Sequence, residues 1–367
     1  MLDFNSNDPR SVMTLDAGGT NMVFSALRGG RALTEPLTLD SRADSLENCL
    51  GQIVRGFTLI RERLPQPPVA ISFAFPGPAD YPAGIIGDLA NLPAFRGGVA
   101  LGPYLENHFK IPVFINNDGD LFTYGEALSG FLPEVNAALK KNGSPKRYKN
   151  ILGLTLGTGL GGGIVSDGNL FLGDNSIAGE AWLLRHKLDP QMNAEEGCSI
   201  RAVRKIYALE SGIPFTATPE PKIIHQIALG LAPGNRVAAI ESFRRMGEVA
   251  GDVVAQALTL IDGLVVIGGG LSGAHELFLP SLVTAANASF ENTQPPLRRL
   301  VSRVYNFEDI SSRNLFIKGD PRTIGIPGST RQLRYDATPR IAVGISRLGT
   351  SEAVAIGAYA FALRRLD

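Results

Sequence analysis

Cysteine is almost missing from this chain: its 367 residues hold only Cys49 and Cys198. Two distant cysteines cannot build a disulfide framework, and such usage fits a reducing compartment. No secretory leader precedes the first apolar stretch, so a cytoplasmic protein is expected. Long apolar runs are lacking too, with none near the ~20 residues that a membrane-spanning helix needs. Nor is there an excess of charge, since Lys plus Arg and Asp plus Glu each number 35. Without a net field, neither nucleic acid nor an anionic membrane is the expected partner, which leaves small molecules.

What is present is core and glycine. Hydrophobic residues make up 44% and charged residues 19%, enough to bury a normal core, and the length exceeds what one core usually supports, so two domains are expected. Glycine gathers in two segments that echo each other, Leu15-Asp16-Ala17-Gly18-Gly19-Thr20-Asn21 and Leu154-Thr155-Leu156-Gly157-Thr158-Gly159-Leu160-Gly161-Gly162-Gly163. Each lies between apolar stretches and reads as strand, tight turn, strand. Turns without Cβ atoms let backbone N–H groups approach an anion. Two of them in matching contexts suggest duplicated half-domains facing one phosphate chain.

The remaining pattern is α/β. Ala32–Leu39 reads as a third strand, Ser45–Leu64 has helical spacing, and Val69–Phe75 is a buried strand ended by Pro76-Gly77-Pro78. The strand Ile111–Ile115 runs into Asn116-Asn117-Asp118-Gly119-Asp120 and then a helix over Leu121–Leu128. A polar cluster where a strand ends and a helix begins is the usual place for ligand chemistry in open α/β sheets. Lys140–Lys149 reads as an exposed basic loop without function. In the second half, helices are expected at Ser199–Leu209, Pro221–Leu229 and Arg236–Leu260. A buried strand at Gly263–Ile267 then leads through Gly268-Gly269-Gly270 into a helix over His275–Ala288. Val301–Arg340 is irregular, and the Ala-rich helix Glu352–Leu363 is expected to pack back on the sheets.

Phosphoryl transfer requires that phosphates and metal be held, the acceptor hydroxyl oriented and its proton taken. Asp16 could hold Mg²⁺ directly or through water, with Gly18, Gly19 and Thr20 close to phosphate, and Thr158 and Gly159 stand at the equivalent place in the second half. Asp118 is the candidate base; the bland alternative is a helix cap. Asn91 and Glu180, both in apolar neighbourhoods, have the donors and acceptors for vicinal hydroxyls.

These residues resemble the motifs of the ROK family, named for repressors, open reading frames and kinases, within the actin-like, hexokinase-type ATPases. The resemblance rests on Asp16–Asn21, Pro76-Gly77-Pro78, Asn91-Leu92-Pro93, Asn117-Asp118, Leu156–Gly163, Ala178-Gly179-Glu180 and Ile267–Leu271, in that order. It implies two ribonuclease H-like domains with a cleft between them that closes on sugar, ATP and Mg²⁺ as cofactors, and a hexose 6-phosphate as product. The first domain would cover 1–117, completed by the helix 350–367, and the second 118–349, with 301–340 unplaced as an oligomer contact or lid. By resemblance, Asp118 activates the sugar hydroxyl, and Asn91, Asn117 and Glu180 hold the sugar. Asp16, Gly18, Gly19, Thr20, Asn21, Thr158 and Gly159 face the phosphates, and Gly269 and Gly270 the adenosine. A homo-oligomer, a dimer, is expected.

Two departures from the family pattern stand out. Many members carry a His three residues after the sugar-binding Glu and a following cysteine cluster that binds zinc. Here that place is Leu183, and only Cys198 with His186 is at hand, short of the about four ligands zinc takes. No zinc is expected. The repressor members carry a DNA-binding module before the kinase core; only Met1–Val12 precede the first strand here.

Two other readings compete with the kinase. A non-catalytic sugar sensor on the same fold would explain the lost zinc cluster but not the retained Asp118 and phosphate turns. A NAD-dependent oxidoreductase would use Gly268-Gly269-Gly270-Leu271-Ser272-Gly273 as a pyrophosphate turn. It needs an acidic residue at the end of the next strand, where the sequence offers only Glu291 at a helix end.

Overall fold

The computed structural model of the protein describes residues 7–17, 21–41, 45–87 and 95–367. Two units divide it, one of Met1–Gly130, Asn169–Ala178 and Leu348–Asp367, the other of Phe131–Gly168 and Gly179–Arg347.

Apolar stretches on both sides of the first glycine turn form the antiparallel pair β1 (Ser11–Ala17) and β2 (Asn21–Arg28). The stretch expected as one third strand is split into β3 (Arg31–Ala32) and β4 (Leu37–Asp40), both paired with β2. Pro36, without an N–H to give a ladder, stands in the break. Helix α1 (Leu46–Glu62) starts at Ser45, whose hydroxyl accepts from the Asn48 N–H at 3.1 Å. Its residues Cys49, Ile53, Phe57 and Ile60, three or four apart, face the core, and Phe57 meets Phe24 edge to face at 5.2 Å. Then β5 (Ala70–Ala74) lies parallel to β1. The short hairpin β6 (Ala79–Asp80) and β7 (Ile85–Ile86) and helix α2 (Leu101–Phe109) lead to β8 (Val113–Asn116), parallel to β5, and then to α3 (Asp118–Ser129). The sheet order is β3-β2-β1-β5-β8.

The second unit repeats the plan. After α4 (Phe131–Lys141), β9 (Ile151–Leu156) and β10 (Leu160–Ser166) form the second glycine hairpin. The expected basic loop therefore begins only after Lys141. The short β11 (Asn169–Leu170), in the segment grouped with the first unit, follows in sequence, and the second unit continues with α5 (Ile200–Ser211), α6 (Pro221–Ala228) and α7 (Arg236–Ile261). Strand β12 (Leu264–Gly268) is parallel to β9 and leads to α8 (His275–Ala286) and the small hairpin β13 (Ser289–Phe290) with β14 (Leu297–Arg298). Within 301–340 the chain forms β15 (Arg303–Asn306), α9 (Ile310–Lys318) and an exposed ribbon of β16 (Pro321–Gly325) and β17 (Gln332–Asp336). Strand β18 (Arg340–Ile345) then inserts parallel to both β12 and β15. Within the unit the order is β10-β9-β12-β18-β15. Hairpin first, then parallel strands on the side of the first strand, three here and two there, is the order of the first unit as well: the echo in the sequence is a duplication of topology.

The last helix, α10 (Thr350–Leu366), belongs to the first unit, where it packs along α3. Both helices supply a glycine at the crossing: a Cβ on Gly125 or Gly357 would stand 2.0 Å from the carbonyl oxygen of Ala353 or Leu121. Buried Glu126 adds a bond, its Oε1 accepting from the Leu348 N–H at 3.0 Å. This packing is why the first unit runs through Gly130 rather than ending at 117 as the sequence suggested. Among the described residues, no helix is long and apolar enough to cross a membrane.

Candidate functional site

In the first unit, strand register gathers the polar residues at one sheet edge. Asp16 on β1 stands opposite Ala74 on β5, and Ala74 opposite Asn116 on β8. Two strand spacings put Asp16 and Asn116 about 10 Å apart at the carboxyl ends of parallel strands. Asp16 is exposed, and its Oδ2 accepts from the Ser351 hydroxyl at 3.3 Å in the first turn of α10. A carboxylate at that end of a helix is favoured by the peptide dipoles. Ser351, 335 residues away in sequence, was beyond the reach of motif reasoning. Asn21, exposed at the start of β2, is the other described site candidate of the first glycine segment. Gly18, Gly19, Thr20 and Asn91 lie outside the described residues.

The alternative reading of Asp118 as a cap is answered by its neighbour. Asn117 is the cap, its Oδ1 accepting from the Gly119 N–H at 2.8 Å, and the same N–H reaches Asp118 Oδ1 at 2.9 Å. Asp118 is thus a spare carboxylate in the first helical turn, open at the surface yet closely surrounded by protein. Its carboxyl is pushed above the ordinary range, first by desolvation and in small part by the Asp16 charge, against hydrogen bonds from backbone N–H groups. A base works only when deprotonated, so a raised value moves the loss of activity on acidification to higher pH. The acidic limb of a kcat/KM profile is expected above the ~4 of a free aspartate; a limb at or below that value would contradict the assignment.

In the second unit, the turn Gly157–Gly159 is tied down on both sides. The Gly157 carbonyl accepts from the Ile200 N–H at 2.8 Å at the start of α5, and Glu195 Oε2 accepts from the Leu160 N–H at 3.1 Å. A Cβ on Gly159 would fall 2.6 Å from Glu195 Oε2, so the glutamate tip lies directly over this glycine. Glu195 carried no sequence signal, being an acid among acids in Glu195-Glu196. Gly269 has φ +85°, and a Cβ there would meet the Leu156 carbonyl at 2.3 Å. The Leu271 N–H donates to that same carbonyl at 3.0 Å. The glycine turn after β12 is therefore seated on the residue preceding Gly157, so Thr158, Gly159, Gly269 and Gly270 come together. Thr158 and Gly270 are exposed. Glu291 follows β13, whose only strand partner among the described residues is β14, so it does not end a strand beside β12.

Glu180 is placed by the glycines of β10. A Cβ on Gly162 would lie 2.3 Å from the Gly179 carbonyl, and Gly179 itself, at φ +83°, sits over Gly163. The half-buried Glu180 carboxylate accepts from the Trp182 indole N–H. Leu183 is exposed, His186 Nδ1 accepts from the N–H groups of Leu188 and Asp189 at 3.2 and 3.0 Å, and the buried Cys198 thiol donates to the Met246 carbonyl. Burial lowers the His186 pKa and raises that of Cys198, so both are neutral side chains in a packed loop. Among the described residues, no group of three His, Cys, Asp or Glu could hold a metal ion.

That loop is braced by Glu196, whose carboxyl the hydrogen bonds of Arg201 and Lys205 hold at about 2 against 4.5 for the free group. The folded value lies below the unfolded one, so the contribution is whole above pH 4.5 and is lost as pH falls toward 2. With partners partly in solvent, Glu196→Gln is expected to lower stability by only about 1 kcal/mol at pH 7. In thermal melts the difference from wild type closes as the pH falls below 4; a gap that widens there would contradict the assignment.

The sequence model of the ROK family matches residues 12–303. A crystal structure titled glucokinase from Parabacteroides distasonis superposes with a TM-score of 0.91 at 54% identity, covering 98% of this chain and 99% of that one. Glucokinase of Thermotoga maritima is 25% identical over 283 residues, 73% of this chain and 84% of its own. N-acetyl-D-glucosamine kinase of Yersinia enterocolitica is 31% identical over 206 residues, 52% of this chain. That match spans 61% of the relative's length, as it does for the Photobacterium profundum enzyme of the same name.

Proposed function

The chain belongs to the ROK family, each unit having the sheet of an actin-like ATPase, and from that premise we propose that it transfers the γ-phosphoryl group of ATP to the 6-hydroxyl of a hexose. The observation that carries this reading is Asp118: a carboxylate that the helix cap does not need, raised in pKa, on the same sheet edge as Asp16. Asp118 accepts the proton of the attacking hydroxyl, late in a loose transition state, so orientation matters more than basicity. The Asn117 amide NH₂, left over when its Oδ1 caps α3, donates to a sugar oxygen, Glu180 accepts from sugar hydroxyls, and Asn91 completes the sugar contacts.

Backbone N–H groups of the two glycine turns, with Gly18, Gly19, Thr20 and Asn21 in one and Thr158 and Gly159 in the other, hold the phosphates. Gly269 makes the tight turn and Gly270 leaves room for adenosine, since nothing stands within 4 Å of where a Gly270 Cβ would be. Mg²⁺ fits Asp16: a hard oxygen donor whose Oδ2 has the only hydrogen bond to it among the described residues. The ion supplies charge neutralisation on the phosphates. Zinc has no place in this reading, and use of ATP places the enzyme in the cytoplasm.

A coupled ADP-release assay over glucose, N-acetylglucosamine, fructose and allose tests the proposal. Turnover is expected with at least one of them; binding of a sugar without turnover would make the protein a sensor instead. A homodimer belongs to this proposal, and Val237, 78% open on the second unit, is a position at which to probe it. Sedimentation is expected to give twice the monomer mass, and Val237→Asp to shift it toward monomer; a wild-type monomer at micromolar concentration would remove the dimer.

A further inference from the structure

Trp182 is the only tryptophan in the chain, and its indole N–H donates to Glu180 Oε2. Among the described residues no other side chain bonds the Glu180 carboxylate, and Oε1 accepts nothing. The indole is itself fixed. It stands in the single turn Ala181–Leu183, whose buried Ala181 lies under β10, 3.3 Å from where a Gly162 Cβ would be. Its apolar body packs on the core of the second unit. Leu183, next in sequence, points a hydrocarbon side chain without a donor to solvent.

We infer that Trp182 is a positioning residue for sugar recognition: by holding Oε2 it fixes the Glu180 rotamer and leaves Oε1 to accept the hydroxyls of the hexose. This rests on the sugar-binding role proposed for Glu180. A free glutamate side chain samples many rotamers, and ordering it before the ligand arrives removes that cost from binding. A carboxylate acceptor also bonds hydroxyls more strongly than a neutral one. Trp182 touches no reacting atom in this account, so it acts on sugar affinity and not on the chemical step.

Trp182→Phe keeps the packing and removes the N–H. The expected result is a sugar KM raised about tenfold, the cost of ordering one glutamate side chain on binding, with kcat and the ATP KM within about twofold of wild type. Because the chain has one tryptophan, its emission reports the contact directly. Glu180→Gln without sugar is expected to shift the emission, and the preferred hexose to change it in wild type. An unchanged sugar KM in Trp182→Phe, or an emission indifferent to Glu180→Gln, overturns the inference. A joint fall of kcat, both affinities and melting temperature also overturns it, by making Trp182 merely structural. Failure of the kinase reading is recognised separately, as a wild-type protein that turns over no hexose while Glu180→Gln still shifts the emission; that outcome removes the sugar role as well.

Discussion

Asp118→Asn is expected to lower kcat about a thousandfold while leaving hexose and ATP binding within a fewfold of wild type. The substitution keeps size and polarity but removes the acceptor for the hydroxyl proton, and general-base catalysis supplies about 10²–10⁴-fold. The fold does not depend on the charge. The cap of α3 is Asn117, which stays, and Gly119 keeps its bond to it at 2.8 Å. Since desolvation disfavours the ionised carboxylate, an uncharged amide there is expected to leave the melting temperature unchanged or slightly higher. Loss of activity without loss of stability or binding separates a catalytic group from a structural one. A loss below tenfold would remove Asp118 as the base.

The second large effect is on stability and comes from Gly357→Ala. α10 closes the chain, and it reaches α3 so closely that the added methyl would stand 2.0 Å from the Leu121 carbonyl, with no flexible side chain to move aside. Overpacking of this kind costs about 3 kcal/mol, and here it pries apart the helix that begins at Asp118 and the helix whose Ser351 bonds Asp16. Activity is expected to fall along with stability. The control is Gly51→Ala on the exposed face of α1, where the Cβ meets nothing within 4 Å. There the better helix former is expected to gain about 0.5–1 kcal/mol. Equal effects of the two substitutions in chemical denaturation would contradict the packing account.

Much of this arrangement was legible in the sequence because it is local. Glycine turns between apolar stretches marked both hairpins, and the run Asn116–Asp120 marked the strand-to-helix junction on which the proposed base, Asp118, stands. The resemblance to ROK proteins extended this to Gly269 and Gly270, whose seating on Leu156 only coordinates reveal. What was not legible is long-range. Ser351 meets Asp16 across 335 residues, Glu195 braces the turn at Leu160 from 35 residues away, and α3 joins the first unit because of two glycines on different helices. The ribbon at 321–336 and the parallel insertion of β18 beside β15 depend on sheet partners that periodicity does not name. Trp182 carried a signal that was simple but unused: the single tryptophan stands two residues after the candidate sugar-binding glutamate.

The most direct measurement is the fate of γ-labelled phosphate when ATP, Mg²⁺ and the preferred hexose are mixed with the protein. The account predicts label in a hexose 6-phosphate, little as inorganic phosphate, and neither product with Asp118→Asn. Label that stays in ATP although sugar binds, or that passes to water regardless of sugar, would contradict it.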